Sequence, residues 1–402
     1  MSKKTLPHSF HWWQFRKIIL RSVGAFGLAF CGSSKAAEPA GPTRLKILHH
    51  AIVTDTIPDA QSPCGLARDP ADDSLVLGFQ DKGDVVAGTI THFVRSRDEG
   101  RTWSRPFASY RHPDKTVGAA VGFTQIGPEQ TVAVIMEITH TDVSVEGFKA
   151  PRKSRTLFAR FDPHTAAITP IATLPQPAET LVGAMPQNLI RLRNGDLLLP
   201  AYLTPMDWAH PNPEIDYGSG LFRSRDGGKT WSPFQKIFGP HPSQSNVFYN
   251  ESVIFEKADG TLVAFARYDN DTPPRDRRMG KVISRDGGQT WSAVVESDLP
   301  AICPALCRLD NGHYLMFAGA LDEPIPRTCM LYHSTDGEKF TKLGAPFYSR
   351  TGGQPFNTAT GGSQMLLPLG NNRFVLAFYA GDRDLPGRDK TYIDSNLVEL
   401  QP

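Results

Sequence analysis

An acidic and a basic residue come together in the segment Asn250-Glu-Ser-Val-Ile-Phe-Glu-Lys-Ala-Asp-Gly-Thr-Leu-Val-Ala-Phe-Ala-Arg267. It reads as two apolar strands, Ser252–Glu256 and Leu262–Arg267, around an Ala258-Asp-Gly260 turn. A hairpin of that form sets Glu251 beside Arg267, 16 residues further on. A carboxylate with a tuned pKa can move protons. A guanidinium can grip a carboxylate through two parallel hydrogen bonds. Together they suit an acidic ligand; the structural alternative is an ion pair at a rim.

The elements that must position such a pair repeat along the chain. Ser284-Arg-Asp-Gly-Gly-Gln-Thr-Trp291 recurs as Ser224-Arg-Asp-Gly-Gly-Lys-Thr-Trp231 and as Ser96-Arg-Asp-Glu-Gly-Arg-Thr-Trp103. A shorter copy, Ser334-Thr-Asp-Gly-Glu-Lys-Phe340, ends in Phe. The Asp side chain can accept backbone N–H groups just ahead of it, and the glycines reach angles that cost other residues dearly. The closing Trp offers an apolar face to wedge against a neighbour. This is a scaffold turn, and nothing in it suggests catalysis.

Around these turns the chain falls into six units, starting near Ser62, Val117, Met185, Asn250, Cys303 and Thr360. Each reads as strand, Gly/Asn/Asp turn, strand, polar loop, strand, Asp turn, strand. In the second unit Asp162-Pro-His takes the place of the Asp turn. In the third the first strand is expected over Asn188–Leu192. The sixth unit ends after three strands, and the N-terminal run Leu45–Val53 can supply the fourth. The expected fold is all-β, a six-bladed β-propeller of four-stranded antiparallel blades over residues 42–402.

Antiparallel order then selects a working face. The start of strand one, the end of strand two and the start of strand three of every blade share one mouth, and the Asp turns lie on the opposite rim. That mouth collects Ser62, Cys64, Asp81, Asp84, His92, Glu137, Gln187, Asn188, Tyr202, Asn250, Glu251, Arg267, Tyr268, Arg327, Tyr379 and Asp382.

Composition narrows the class. The chain has 402 residues, 40% apolar and 21% charged, which is ordinary for a globular protein. A net charge of +2 gives no electrostatic case for nucleic acid. Residues 1–37 read as a signal peptide: a basic start, a short apolar run Val23–Phe30, and small residues at Ser34-Lys-Ala36. The run is too short to span a bilayer. A secreted or periplasmic protein is expected. Four cysteines remain after such cleavage: Cys64, Cys303, Cys307 and Cys329. Cys303 and Cys307 on one strand would stand about 13 Å apart, too far to pair; buried free thiols are expected. No His/Asp/Glu spacing resembles a metal-ligand set, so neither metal nor cofactor is expected.

The Asp turns are similar to the Asp-box (BNR) repeats of sialidases, and the chain after the signal peptide resembles a sialidase-type six-bladed propeller throughout. That resemblance implies Glu251 as the catalytic Glu, Arg267 and Arg327 as carboxylate-binding arginines, and Asp81 or Asp84 as the acid/base Asp. It also implies a tyrosine nucleophile whose nucleophilicity the Glu raises. Two positions diverge from the family. Gln61-Ser-Pro-Cys-Gly65 has no arginine where the family opens with Arg-Ile-Pro, and Thr358–Ser363 has no tyrosine at the nucleophile's position. Tyr379 ends the next strand and faces the same mouth; its alternative role is an aromatic lining the axis.

The expected site is therefore Glu251, Asp84 and Tyr379 for chemistry, with Arg267, Arg327, Gln187, Tyr202 and Asn250 for substrate. The expected activity is that of a monomeric exo-α-sialidase-type glycoside hydrolase acting on terminal acidic sugars of a glycan or oligosaccharide. The alternatives are a lyase or glycosidase for another uronic-acid-type sugar and a non-catalytic carbohydrate-binding propeller.

Overall fold

The computed structural model describes residues 44–54, 57, 60–82, 85–140, 152–206, 214–239, 248–269, 277–323, 328–344, 363–381 and 391–401. The chain separates into residues 1–40 and 41–402, and all described residues belong to the second unit. That unit is all-β. No helix among the described residues is long and apolar enough to cross a membrane.

The first strand, β1 (Arg44–Thr54), is held for last use. β2 (Gln61–Arg68), β3 (Leu75–Gln80), β4 (Ile90–Ser96) and β5 (Ala108–Arg111) follow as an antiparallel set. So do β6 (Val117–Gly127), β7 (Gln130–His140), β8 (Arg152–Asp162) and β9 (Ala167–Thr173). One parallel pair, Gly65 with Phe123, joins the two sets into a sheet of eight strands. The Phe123 ring lies across Gly65 and Gly78, where added Cβ atoms would stand 2.4 and 2.6 Å from it. Only glycine permits that approach.

The next sheet contains β10 (Thr180–Ala184), β11 (Ile190–Arg191), β12 (Leu197–Pro205), β13 (Gly218–Ser224) and β14 (Gln235–Lys236). Here the structure differs from the continuous Asn188–Leu192 strand expected. A 3-10 turn, Pro186–Asn188, interrupts the run, and β10 and β11 each pair separately with β12. Pro186 has no N–H to give a sheet and its fixed φ suits the start of a helical turn.

β15 (Phe248–Glu256), β16 (Leu262–Asp269), β17 (Gly280–Ser284) and β18 (Val295–Glu296) form a four-stranded antiparallel sheet. β19 (Ala301–Arg308), β20 (Tyr314–Ala320), β21 (Thr328–Ser334) and β22 (Thr341–Gly344) form another. β23 (Met365–Gly370), β24 (Arg373–Gly381) and β25 (Thr391–Gln401) complete the last sheet with β1, which pairs along β25 from Arg44 opposite Gln401 to Thr54 opposite Ile393. His50 on β1 reaches the buried carboxylate of Asp394 on β25 at 2.8 Å.

The core lies between successive strand sets. Phe93, Phe123 and Phe161 join the first to the second, and Phe158, Phe222 and Trp231 the second to the third. Leu198 and Ile254 share the following cluster, and Phe255 and Tyr314 the one after. Phe317 and Phe378 face each other at 5.8 Å between ring centroids. Leu77, Phe79 and Val375 bring the last sheet against the first. Central strands thus bury both faces, which is why Leu262–Ala266 is an unbroken apolar run with every residue buried.

The Asp turns join third strands to fourth strands and follow one scheme. In the copy after β13, Thr230 donates to Asp226 from its backbone N at 2.9 Å and from its hydroxyl at 2.6 Å. Ser224 donates its hydroxyl to the same carboxylate and accepts the Gly228 N–H. Gly228 has φ +92°, and a Cβ there would stand 2.0 Å from the Phe158 ring of the preceding set. Other copies also reach the neighbouring sheet. Trp103 donates to Ser395 at 3.1 Å, and Arg223 donates to the Gly287 carbonyl. Where Asp162-Pro-His164 replaces the turn, Arg95 of the set before it donates to the Pro163 and His164 carbonyls, each at 2.8 Å.

The Thr230 hydrogen bonds hold the Asp226 carboxyl at a pKa of about 2, below its ordinary value. A depressed pKa contributes stability above the unfolded value and loses it as pH falls through the folded value. Melting temperature is therefore expected to drop between about pH 4 and about pH 2, and Asp226→Asn to lose less across that window than the parent. Equal acid sensitivity of variant and parent in calorimetry would remove the turn from this role.

Candidate functional site

The same irregularity recurs near the start of β2, β15, β19 and β23. Ser62, Glu251, Cys303 and Ser363 have φ of 45°, 36°, 50° and 62°, a region that non-glycine residues avoid. The first three sit at register shifts, between Gln61 and Pro63, Asn250 and Ser252, and Ile302 and Ala305. A bulge of this kind re-aims one side chain out of the alternation of its strand. Each left-handed residue costs roughly 1–2 kcal/mol, so the surrounding structure must over-determine it.

The over-determination is visible around Asn188. Its amide nitrogen donates one hydrogen to the Ser252 carbonyl at 3.0 Å and the other to the Pro304 carbonyl at 2.8 Å. Those carbonyls directly follow Glu251 and Cys303. A single buried amide therefore fixes two bulged strand heads side by side. Gln364, with its amide oriented to satisfy both neighbours, donates to the Cys303 carbonyl at 2.5 Å and accepts from the Gly319 N–H.

The side chains so placed form one cluster. Arg267 Nη1 donates to Glu251 Oε2 at 3.0 Å, and Cys303 Sγ donates to the same oxygen at 2.8 Å. Asn250, buried, stands opposite Arg267 in the β15–β16 register. Glu251 and Arg267 keep 19% and 16% of their side-chain surface exposed. Burial, then the Glu251 charge, pushes the Cys303 thiol well above its ordinary pKa, against the opposing pull of Arg267. The thiol is neutral at physiological pH and acts as a donor.

The other expected residues divide. Gln187, with Asn188, lines a cavity of about 470 Å³ bounded by residues from β2, β6, β11, β15, β19 and β23. The Tyr202 ring lies over Gly183 on the adjacent strand, where a Cβ would be 2.1 Å from Cζ. Tyr379 packs against the core cluster that holds Phe79, Met365 and Ile393. Glu137 is engaged by Arg155 at 2.7 Å, Asp81 accepts the Ile90 N–H at 2.7 Å, and His92 meets Ser109 at 3.0 Å. Asp84, Arg327 and Asp382 lie outside the described residues.

Two participants were not singled out as site residues in the sequence. Cys303 reads there as a buried thiol, which it is, and its contact with Glu251 adds a role. Its signal is Cys303-Pro304 at the head of a strand, matching Ser62-Pro63 in the first unit. Asn188 is a mouth residue in the sequence, and nothing there marks its role. Among the described residues one group of potential metal ligands gathers, Asp69, Asp72 and His164. The Arg95 guanidinium already stands in it, 2.7 Å from Asp69.

The family profile of the BNR repeat-like domain matches residues 138–344, and the chain belongs to that family. Its fold is also similar to solved structures. A protein of unknown function from Dyadobacter fermentans DSM 18053 is 18% identical, with a TM-score of 0.69 over 89% of this chain and 99% of that one. The Hadza microbial sialidase Hz136 is 17% identical, with a TM-score of 0.57 over 85% of this chain and 66% of that one. The alpha-L-arabinanase of Penicillium chrysogenum, complexed with arabinobiose, is 12% identical, with a TM-score of 0.58 over 88% and 99%. No curated protein sequence matches the chain.

Removing the Asn188 amide strands two buried carbonyls. Asn188→Ala is expected to lower unfolding free energy by about 3 kcal/mol, from two unsatisfied acceptors. Urea denaturation measures it, and a loss below about 1 kcal/mol would mean that other donors take over.

Proposed function

We propose that this chain is a secreted carbohydrate-active enzyme, a sialidase-like glycoside hydrolase that works on a terminal acidic sugar of a glycan. The observation that carries the reading is Glu251, held in a strained left-handed conformation with Arg267 and Cys303 on one carboxylate oxygen. Strain retained at a partly exposed carboxylate beside an arginine is the arrangement of a working residue. The similarity in fold to a sialidase and to an arabinanase supports a carbohydrate substrate.

In this reading the strands form a closed ring of six blades over residues 42–402. Three features support it: clusters that join each strand set to the next and the last to the first, the pairing of β1 with β25, and an axial cavity with six inner strands around it. Residues 1–37 serve as a signal peptide for export to a periplasm or beyond, and the mature chain acts as a monomer. Glu251 takes the proton-transfer role, with Asp84 as its acid partner. Arg267 and Arg327 hold the substrate carboxylate, aided by Asn250, Gln187 and Tyr202, and Tyr379 is the candidate nucleophile. Arginine is the residue for this clamp because its planar fork matches a carboxylate.

A binding module is the second reading. The ion pair between Arg267 and Glu251 favours it, since a guanidinium already engaged has less to offer a ligand.

The deciding assay incubates the purified protein with sialyl-lactose, uronate-terminated oligosaccharides and 4-nitrophenyl arabinofuranoside. Release of sialic acid or uronate is expected, with kcat in Glu251→Gln down about a hundredfold and KM in Arg267→Ala raised about tenfold. Glycan-array binding without turnover, unchanged in Glu251→Gln, would establish the binding module instead. Release of arabinose alone would exclude an acidic substrate.

A further inference from the structure

Glu251 Oε2 receives both of the hydrogen bonds described above, one from Arg267 and one from the Cys303 thiol. Oε1 makes none among the described residues. The thiol is itself fixed from several sides. Its backbone is left-handed at φ +50°, Asn188 holds the carbonyl after it, and the Gln364 amide donates to the carbonyl of Cys303 itself. Cys303 at the head of β19 therefore meets β15 through its side chain and Gln364, just before β23, through its carbonyl. A neutral thiol suits this place. It can donate one hydrogen bond without adding charge beside a carboxylate already paired with arginine.

We propose that Cys303 is a positioning residue for Glu251. It ties down Oε2 and fixes the rotamer, so that Oε1 is the oxygen turned toward substrate. The proposal rests on Glu251 being the proton-transfer group of the site. No covalent step passes through the sulfur.

Two measurements separate this from a packing role. The first needs no substrate: alkylation of Cys303 by iodoacetamide across pH 6–10, followed by peptide mass spectrometry in parent and Glu251→Gln. In the parent, Cys303 is expected to react about tenfold or more slowly than a free thiol at about pH 8, and removing the carboxylate charge to speed it several-fold. An identical pH profile in both proteins overturns the pairing.

The second uses whichever probe glycoside the parent hydrolyses. Cys303→Ala is expected to cut kcat roughly tenfold with KM within about twofold, the size of one lost hydrogen bond to a charged group. Cys303→Ser, which restores a donor, is expected to recover kcat to within about threefold. Equal losses in Ala and Ser overturn positioning in favour of shape. Thermal melting of both variants shows whether either has simply unfolded. If the parent hydrolyses none of the probes, the glycosidase reading fails, and the alkylation profiles still decide whether the thiol and carboxylate are coupled.

Discussion

The carboxamide of Asn188 is the constraint on which the site depends. One nitrogen with two hydrogens bridges carbonyls on two other strands, 64 and 116 residues further along the chain. It can do so because the chain around it is not a strand. Pro186 forces a tight turn, the turn points the amide inward, and the residues before and after resume pairing with β12. A local defect in one sheet is thereby converted into alignment of the next two.

The two ends of the sheets carry their left-handed residues differently. The Asp turns are fully satisfied: each carboxylate has hydroxyl and N–H donors from its own turn, and positive φ falls mostly on glycine. At the strand heads, positive φ falls on Ser, Glu and Cys, where no intrinsic preference supports it. Stability supplied by the regular turns and the inter-sheet aromatics holds the irregular heads in place. Strain at a site is tolerated only where its surroundings leave no alternative.

This division also decides what the sequence could reveal. The Asp turns were readable because each is local, repeated and built from residues with one structural use. The strands were readable because central strands buried on both faces leave apolar runs such as Leu262–Ala266. The pairing of Glu251 with Arg267 followed from a single hairpin. The bulges were not readable, because Glu251 and Cys303 carry no side-chain mark of left-handed geometry. Nor was the Cys303 contact, which joins residues 52 apart on different sheets. Asn188 was legible as a polar residue near the mouth; its partners are main-chain carbonyls, which every residue has. The broken strand at Pro186 was open to sequence reasoning, since proline removes a ladder donor.

The pairing of β1 with β25 has a consequence for the order of assembly. Arg44 finds its partner at Gln401, so the last sheet lacks an edge strand until nearly the whole chain is present. Closing a loop of that length costs about 5 kcal/mol of chain entropy, recovered only when the full ladder and the His50–Asp394 contact form together. Before then, β25 presents an open edge able to recruit a strand from another molecule. The same edge that receives β1 is therefore the one at which a strand from a second molecule would compete with it.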